Sequence, residues 1–316
     1  MFDIAVSQLT TPRWGLAQEL ASLADHGFTA VSLWRPKFSD EGLAATGRAL
    51  AAAGVRASSL QWVGGFTGSD GRTFSESVAD AAEAIADAAA LAAATSARPP
   101  VVVVHSGCRG GHTRSHAERL LCEALETLVP IANAEGVVLA IKPFHAGGEG
   151  GSSFLQRLGA AVALVEQFAD PAVRIALDLW HFADSPEFDE LLPRLADATG
   201  IVQIADRNGA ASPVADRLPV GLGGLPLESR ISQLCERGYL GDCEFDPVGE
   251  AVQEFGYEWA HGETRRIADL WLNRMVEAAL ALRIEPAHFQ LRGLQRRAAG
   301  AGPRRSQAST QVVSRG

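Results

Sequence analysis

Short runs rich in Val, Ile and Leu alternate with longer segments of helical periodicity across residues 2–282, with few breaks. That alternation limits what the chain can become. Strands separated by helices pair in parallel, because each helix carries the chain back across one face of the sheet. The runs that read as strands are residues 4–8, 30–34, 56–61, 101–105, 137–142, 175–179, 201–205 and 243–246. The helical segments between them are 15–26, 41–53, 74–94, 115–135, 160–169, 188–198, 227–237 and 263–282. Gly27, Gly54, Gly136 and Gly238 each follow a helical segment and precede a strand, where a left-handed cap ends a helix. Eight strand–helix pairs with no second module predict one α/β domain, a closed (β/α)₈ barrel over residues 1–290.

Composition narrows the partners. A formal net charge of −9 leaves no broad basic surface, so nucleic acid and anionic membrane are not expected and a small molecule is. The Ala-rich stretch 78–97 is interrupted by Asp80, Glu83 and Asp87 at helical spacing and reads as an amphipathic helix, not a membrane span. Cys108, Cys122, Cys235 and Cys243 form no CxxC pair, and three of them fall on elements that bury them. That pattern and the absence of a secretory leader in MFDIAVSQLT point to the cytoplasm. From residue 291 the chain turns basic and loses apolar periodicity, which predicts a disordered tail. Association into a homo-oligomer stays open.

In a barrel strand, alternate side chains face the interior, and the last inward residue of each strand lies in the active-site mouth. Parity places Lys142 there from the fifth strand, Asp178 from the sixth, Gln203 from the seventh and Asp246 from the eighth, where Asp242 and Glu244 share its face. His105 on the fourth strand and Ser32 and Trp34 on the second join them. Polar groups sent to one end by six strands are costly to bury unless they serve each other or a ligand.

The segments SQLTTPRWGLAQEL, HGFTAVSLWR, AGVRASSLQWVGGF, LAIKPFH, IALDLWHF, IVQIADR and RGYLGDCEFDP carry a resemblance to the xylose-isomerase-like sugar phosphate isomerase/epimerase superfamily. The resemblance implies a barrel enzyme with a divalent metal, such as Mn, Mg or Zn, held by Glu, Asp, His or Gln, and Glu at the ends of the fifth to eighth strands. The matching positions are Lys142, Asp178, Gln203 and Asp246. Lysine offers a protonated ammonium and no lone pair, so a metal-free site is expected, with Lys142 pairing to Asp178 and Asp246. If a metal is bound, Asp178, Gln203 and Asp246 are its ligands. The resemblance also implies substrate contact for His181 and, more weakly, His145. Arg207 in the seventh-strand loop can hold a carboxylate or phosphate, and Arg217 is a weaker candidate of the same kind. Relatives commonly carry an acidic residue where GLGGLPL has Leu222.

The expected activity is that of an isomerase, epimerase or lyase that removes a proton next to the carbonyl of a small hydroxy-carbonyl compound. Lys142, Asp178, His181, Asp246 and Glu244 are the catalytic candidates; Trp34, His105, His145, Gln203 and Arg207 are the substrate-binding ones. Two alternatives stand beside it: a Schiff-base aldolase or lyase using Lys142, and a binding or scaffold protein on an old enzyme fold.

Overall fold

The computed structural model describes residues 3–39, 41–148 and 153–281. Chain contacts divide it into two units, Phe2–Asn273 and Arg274–Gly316 with Met1. The expected tail from residue 291 lies outside the described residues, as do residues 149–152.

The first unit holds eight strands that pair in parallel and close in chain order: β1 Ile4–Ser7, β2 Ala30–Trp34, β3 Arg56–Gly64, β4 Val101–His105, β5 Leu139–Lys142, β6 Val173–Asp178, β7 Thr199–Ile204 and β8 Asp242–Phe245. The helices are α1 Leu16–Asp25, α2 Arg35–Ser39, α3 Leu43–Ala53, α4 Phe74–Thr95, α5 Arg114–Glu135, α6 Leu158–Phe168, α7 Leu179–Phe182, α8 Pro186–Ala198, α9 Leu227–Glu236, α10 Glu250–Phe255 and α11 Tyr257–Ala281. Residues 274–281 of the second unit are the end of α11.

The expected order of elements holds, and the differences lie at the edges. β1 stops at Ser7 because the Ser7 hydroxyl accepts from the Leu9 N–H and starts a 3₁₀ turn over Gln8–Thr10. β3 runs on to Gly64, past a register shift against β2 between Val31 and Ser32. Three short helices, α2, α7 and α10, occupy loops that carry too few residues to show a helical period.

Helix faces follow their apolar spacing. α5 buries Ala117, Leu121, Ala124, Leu125, Leu128 and Ala132, a three-and-four stripe in which each leucine contributes roughly 1.5–3 kcal/mol of burial. α4 buries Ala81, Ala84, Ile85, Ala88 and Leu91, and its entry is closed by a Thr73–Glu76 capping box. Among the described residues no helix is long and apolar enough to cross a membrane. The four cysteines are free; Cys243 is buried, Cys122 and Cys235 half-buried and Cys108 exposed.

Inside the barrel, Val103, Ala140, Ala176 and Ile201 form one apolar layer, the inward parity expected of β4 to β7. Below it, Arg56 pairs with Asp3 at 2.8 Å and with Asp242 at 2.7 Å, and Arg98 also reaches Asp242. Asp242 therefore serves the end of the barrel where β3 begins. The polar band described below lies at the opposite end of the strands.

Candidate active site

Above the apolar layer, β4 to β8 turn polar side chains inward. The register sets His105 beside Lys142, Asp178 beside Gln203 and Gln203 beside Glu244, so β4 to β8 contribute one continuous band. Lys142 Nζ lies 2.9 Å from Asp178 Oδ2, and both side chains are almost wholly buried. Asp246 stands two residues past Glu244. It reaches the band through Arg217, whose guanidinium lies 3.1 Å from Asp178 Oδ2 and donates to Asp246 Oδ1 at 2.7 Å.

Arg217 comes from the long segment between β7 and α9. Its main chain exchanges hydrogen bonds with Val248 beyond β8, N to O at 3.1 Å and back at 2.8 Å, which turns the side chain toward the strand ends. Its guanidinium lies 5.4 Å from the Trp180 ring centroid. Burial alone raises the Asp178 pKa, but Arg217 and Lys142 outweigh it and hold that carboxyl far below the ordinary range. Burial pushes the Asp246 carboxyl up, and Arg217 opposes the shift.

Glu244 is differently placed. It accepts from Ser58 Oγ at 2.6 Å, Gln203 Nε2 at 3.2 Å and Gln61 Nε2 at 3.3 Å, all neutral donors. Burial is the dominant influence on it and the hydrogen bonds oppose it only in part, so its pKa is pushed up to about 7. Gln61 and Ser58 escape a strict parity reading because the register of β3 shifts beside them.

The histidines stand on the other side of Lys142. His105 is stacked by Trp62 at 4.9 Å between ring centroids, and the edge of Phe144 approaches it at the same separation. Phe144 in turn meets His181 at 5.1 Å. The His145 N–H donates to His181 Nδ1 at 3.4 Å, which leaves the proton of the neutral ring on Nε2. Burial lowers the His181 pKa to about 3, against the pull of Asp178, and burial with Lys142 lowers that of His105 well below its usual value. Both rings are neutral donors or acceptors across physiological pH. Among the described residues, His105 Nε2, His181 Nε2 and Gln203 Oε1 are buried polar atoms that meet no hydrogen-bond partner, a concentration that points to a ligand in this space.

The structure thus brings together Lys142, Asp178, Gln203, Glu244, Asp246, His105 and His181, with His145 half-buried behind His181. It does not bring in Arg207. That guanidinium is buried and donates to the carbonyls of Trp180 and Gly209 and to Asp184, so it ties loops together. Trp34 is half-buried at the end of β2, where its main-chain N–H donates to Gln8 Oε1 at 2.9 Å. Leu222 is an exposed loop residue. The sequence undervalued Arg217 and gave no sign of Ser58, Gln61 or Trp62.

The donor set argues against a divalent cation. The ammonium of Lys142 and the guanidinium of Arg217 already face the Asp178 oxygens, and Gln203 turns its amide nitrogen, a donor, to Glu244. Among the described residues no three His, Cys, Asp or Glu side chains are grouped to ligate a metal. Two cations in the place of one ligand and its ion do not suit Mn, Mg or Zn.

A closed parallel barrel with a convergent polar cluster at the strand ends defines an enzyme-type (β/α)₈ barrel. The chain belongs to the xylose isomerase-like TIM barrel family, whose model matches residues 20–258. It is 27% identical over 273 residues to a Streptomyces coelicolor protein named "Putative hydroxypyruvate isomerase", covering 82% of this chain and 94% of that one. A solved Sinorhizobium meliloti 1021 protein superposes with a TM-score of 0.72 at 24% identity, covering 83% of this chain and 96% of its own. An L-ribulose 3-epimerase structure superposes with a TM-score of 0.70 at 17% identity, covering 89% and 98%.

Proposed function

We propose that this chain is an isomerase or epimerase that moves a proton next to the carbonyl of a small hydroxy-carbonyl compound, with Lys142 standing where relatives place a metal ion. The observation that carries the reading is the Lys142 ammonium set 2.9 Å from Asp178 in the same band as Glu244, a buried carboxyl with a pKa of about 7. One group supplies fixed positive charge and the other a proton acceptor near neutrality.

On this reading Glu244 takes a proton from the carbon beside the carbonyl. The electron pair moves to the carbonyl oxygen, and Lys142 holds the resulting enolate oxygen by charge and hydrogen bonding. His181 Nε2–H and Gln203 Oε1, which meet no partner among the described residues, supply one donor and one acceptor for substrate hydroxyl and carbonyl oxygens. Lys142 gives a proton to that oxygen and takes one from the neighbouring hydroxyl, so that the hydroxyl carbon becomes the new carbonyl as the carbon-bound proton is returned to the former carbonyl carbon, which yields the isomer; return of the proton to the opposite face of the original carbon yields the epimer. The Schiff-base alternative is less well supported, since an ammonium in a buried ion pair is not a nucleophile until it gives up its proton and its partner.

Hydroxypyruvate is the first substrate to test because the curated relative is named for it. Incubation in D₂O with hydroxypyruvate and with small ketoses, followed by NMR, reads solvent exchange at the carbon beside the carbonyl. Exchange by the wild type that is lost in Glu244→Gln supports the reading. Undiminished exchange in that variant contradicts it.

A further inference from the structure

Asp206 lies just beyond β7 and is 3% exposed. Its Oδ1 accepts main-chain N–H bonds from Arg207 at 2.9 Å and Leu225 at 3.0 Å, and its Oδ2 accepts from Gly221 at 3.0 Å and Gly223 at 3.1 Å. Four amides around one carboxylate fill its acceptor capacity without any cation. This collar accounts for two of the three glycines of GLGGLPL: Gly221 has φ +91°, and a Cβ on Gly223 would run into the Asp206 carboxylate. The main chain of Asp206 also exchanges two 2.8 Å hydrogen bonds with Leu218, the residue after Arg217.

The segment carrying Arg217 is therefore pinned on one side by Asp206 and on the other by the Val248 bonds. Between these pins the side chain reaches inward. Nη2 donates to Asp178 Oδ1 at 3.2 Å and to Asp246 Oδ1 at 2.7 Å, and Nε donates to the Asp246 carbonyl at 3.3 Å. With Nη1 against Asp178 Oδ2 at 3.1 Å, the guanidinium ties the ends of β6 and β8 together. Nearly all its donors are spent on protein, so it acts by fixing the two carboxylates and, through Asp178, the ammonium of Lys142.

The geometry points to Asp206 as a positioning residue of the active site, acting on Asp178 and Asp246 through Arg217. The inference rests on the function proposed above for its kinetic readout only.

The test is a double-mutant cycle of Asp206→Asn and Arg217→Gln, with Arg217→Lys and Asp206→Glu as companions. Arg217→Gln is expected to lower kcat about 100-fold and Asp206→Asn about 10-fold, with KM within about 3-fold in each. The double variant falls no further than Arg217→Gln alone, because Asp206 acts through the residue already removed. Arg217→Lys keeps the charge but not the fork, and stays at least about 10-fold below wild type. A second readout needs no substrate: the Arg217 Nε–H resonance, identified by its loss in Arg217→Gln, is protected from exchange in the wild type and becomes exchangeable in Asp206→Asn. Should Asp206→Asn fail to fold, Asp206→Glu, which keeps the charge and displaces the collar, carries the same expectation. Independent, additive losses, or an unchanged resonance with only a lower Tm, overturn the inference. A coupled resonance with no turnover on any hydroxy-carbonyl compound leaves this inference standing and sinks the proposed function instead.

Discussion

Lys142 Nζ and Asp178 Oδ2 stand 2.9 Å apart inside the barrel, with Arg217 3.1 Å from the same oxygen. Two cations on one buried carboxylate explain why Asp178 stays ionised despite its burial. On the proposed function they take the place of a divalent ion beside that carboxylate. A buried charge is tolerated only when paired, so removing either cation leaves a deficit that the other covers only in part.

Lys142→Met is accordingly expected to lower turnover by about 10²–10³-fold, the scale of losing one preorganised oxyanion-stabilising donor. Denaturant unfolding should show a loss of about 1–3 kcal/mol, since Arg217 remains on Asp178. Full activity in this variant would remove Lys142 from the chemistry.

The pH dependence follows from Glu244. Its folded pKa of about 7 lies above the ordinary 4.5, so ionisation opposes folding. With respect to this group, stability is highest below pH 4.5, declines as pH rises toward 7 and is level above, a difference of about 3 kcal/mol. Glu244→Gln should therefore gain stability relative to wild type between pH 4.5 and 8. Wild-type kcat should rise through about pH 7 as the base ionises, and that rise should vanish with Glu244.

His181 behaves in the opposite way. Its pKa of about 3 lies below the usual 6.5, so its neutral form is the folded one and the group draws stability out of the fold as pH falls from 6.5 toward 3. Carbon shifts of the His181 ring are expected to stay flat from pH 8 to 5. A titration near 6.5 would show that the ring is neither buried nor held as described.

Gly223 and Gly224 make a controlled pair. A Cβ at Gly223 collides with the Asp206 carboxylate, whereas a Cβ at Gly224 meets nothing within 4 Å. Gly223→Ala should lower both Tm and kcat, and Gly224→Ala should stay within about 0.5 kcal/mol of wild type. Equal effects at the two positions would rule out the collar.

The barrel was legible because strand parity is a local property. Once β5 and β6 were located, Lys142 and Asp178 followed from counting in twos, and the apolar layer of Ala140 and Ala176 beneath them follows from the same count. Arg217 was not legible in that way. Its position depends on main-chain bonds to Val248 and on a collar around Asp206, neither of which leaves a periodic trace. Arg207, the nearer arginine in sequence, was favoured instead, although its donors are taken up by loop carbonyls and Asp184. Gln61 and Ser58 were hidden by the register shift of β3, which breaks the parity rule where it would have been applied. Along β8 and the residue after it, counting puts Glu244 and Asp246 on one face but does not distinguish the residue paired with Gln203, which is Glu244.

On the proposed function Lys142 supplies beside Asp178 the positive charge that a divalent ion would otherwise bring. Elemental analysis of the purified protein, together with turnover before and after exhaustive chelation, separates the two cases. Less than about 0.1 equivalent of Mn, Mg or Zn per chain and activity unchanged by chelator are expected on the proposed function. About one equivalent of metal, with activity lost on chelation and restored on its return, would contradict it.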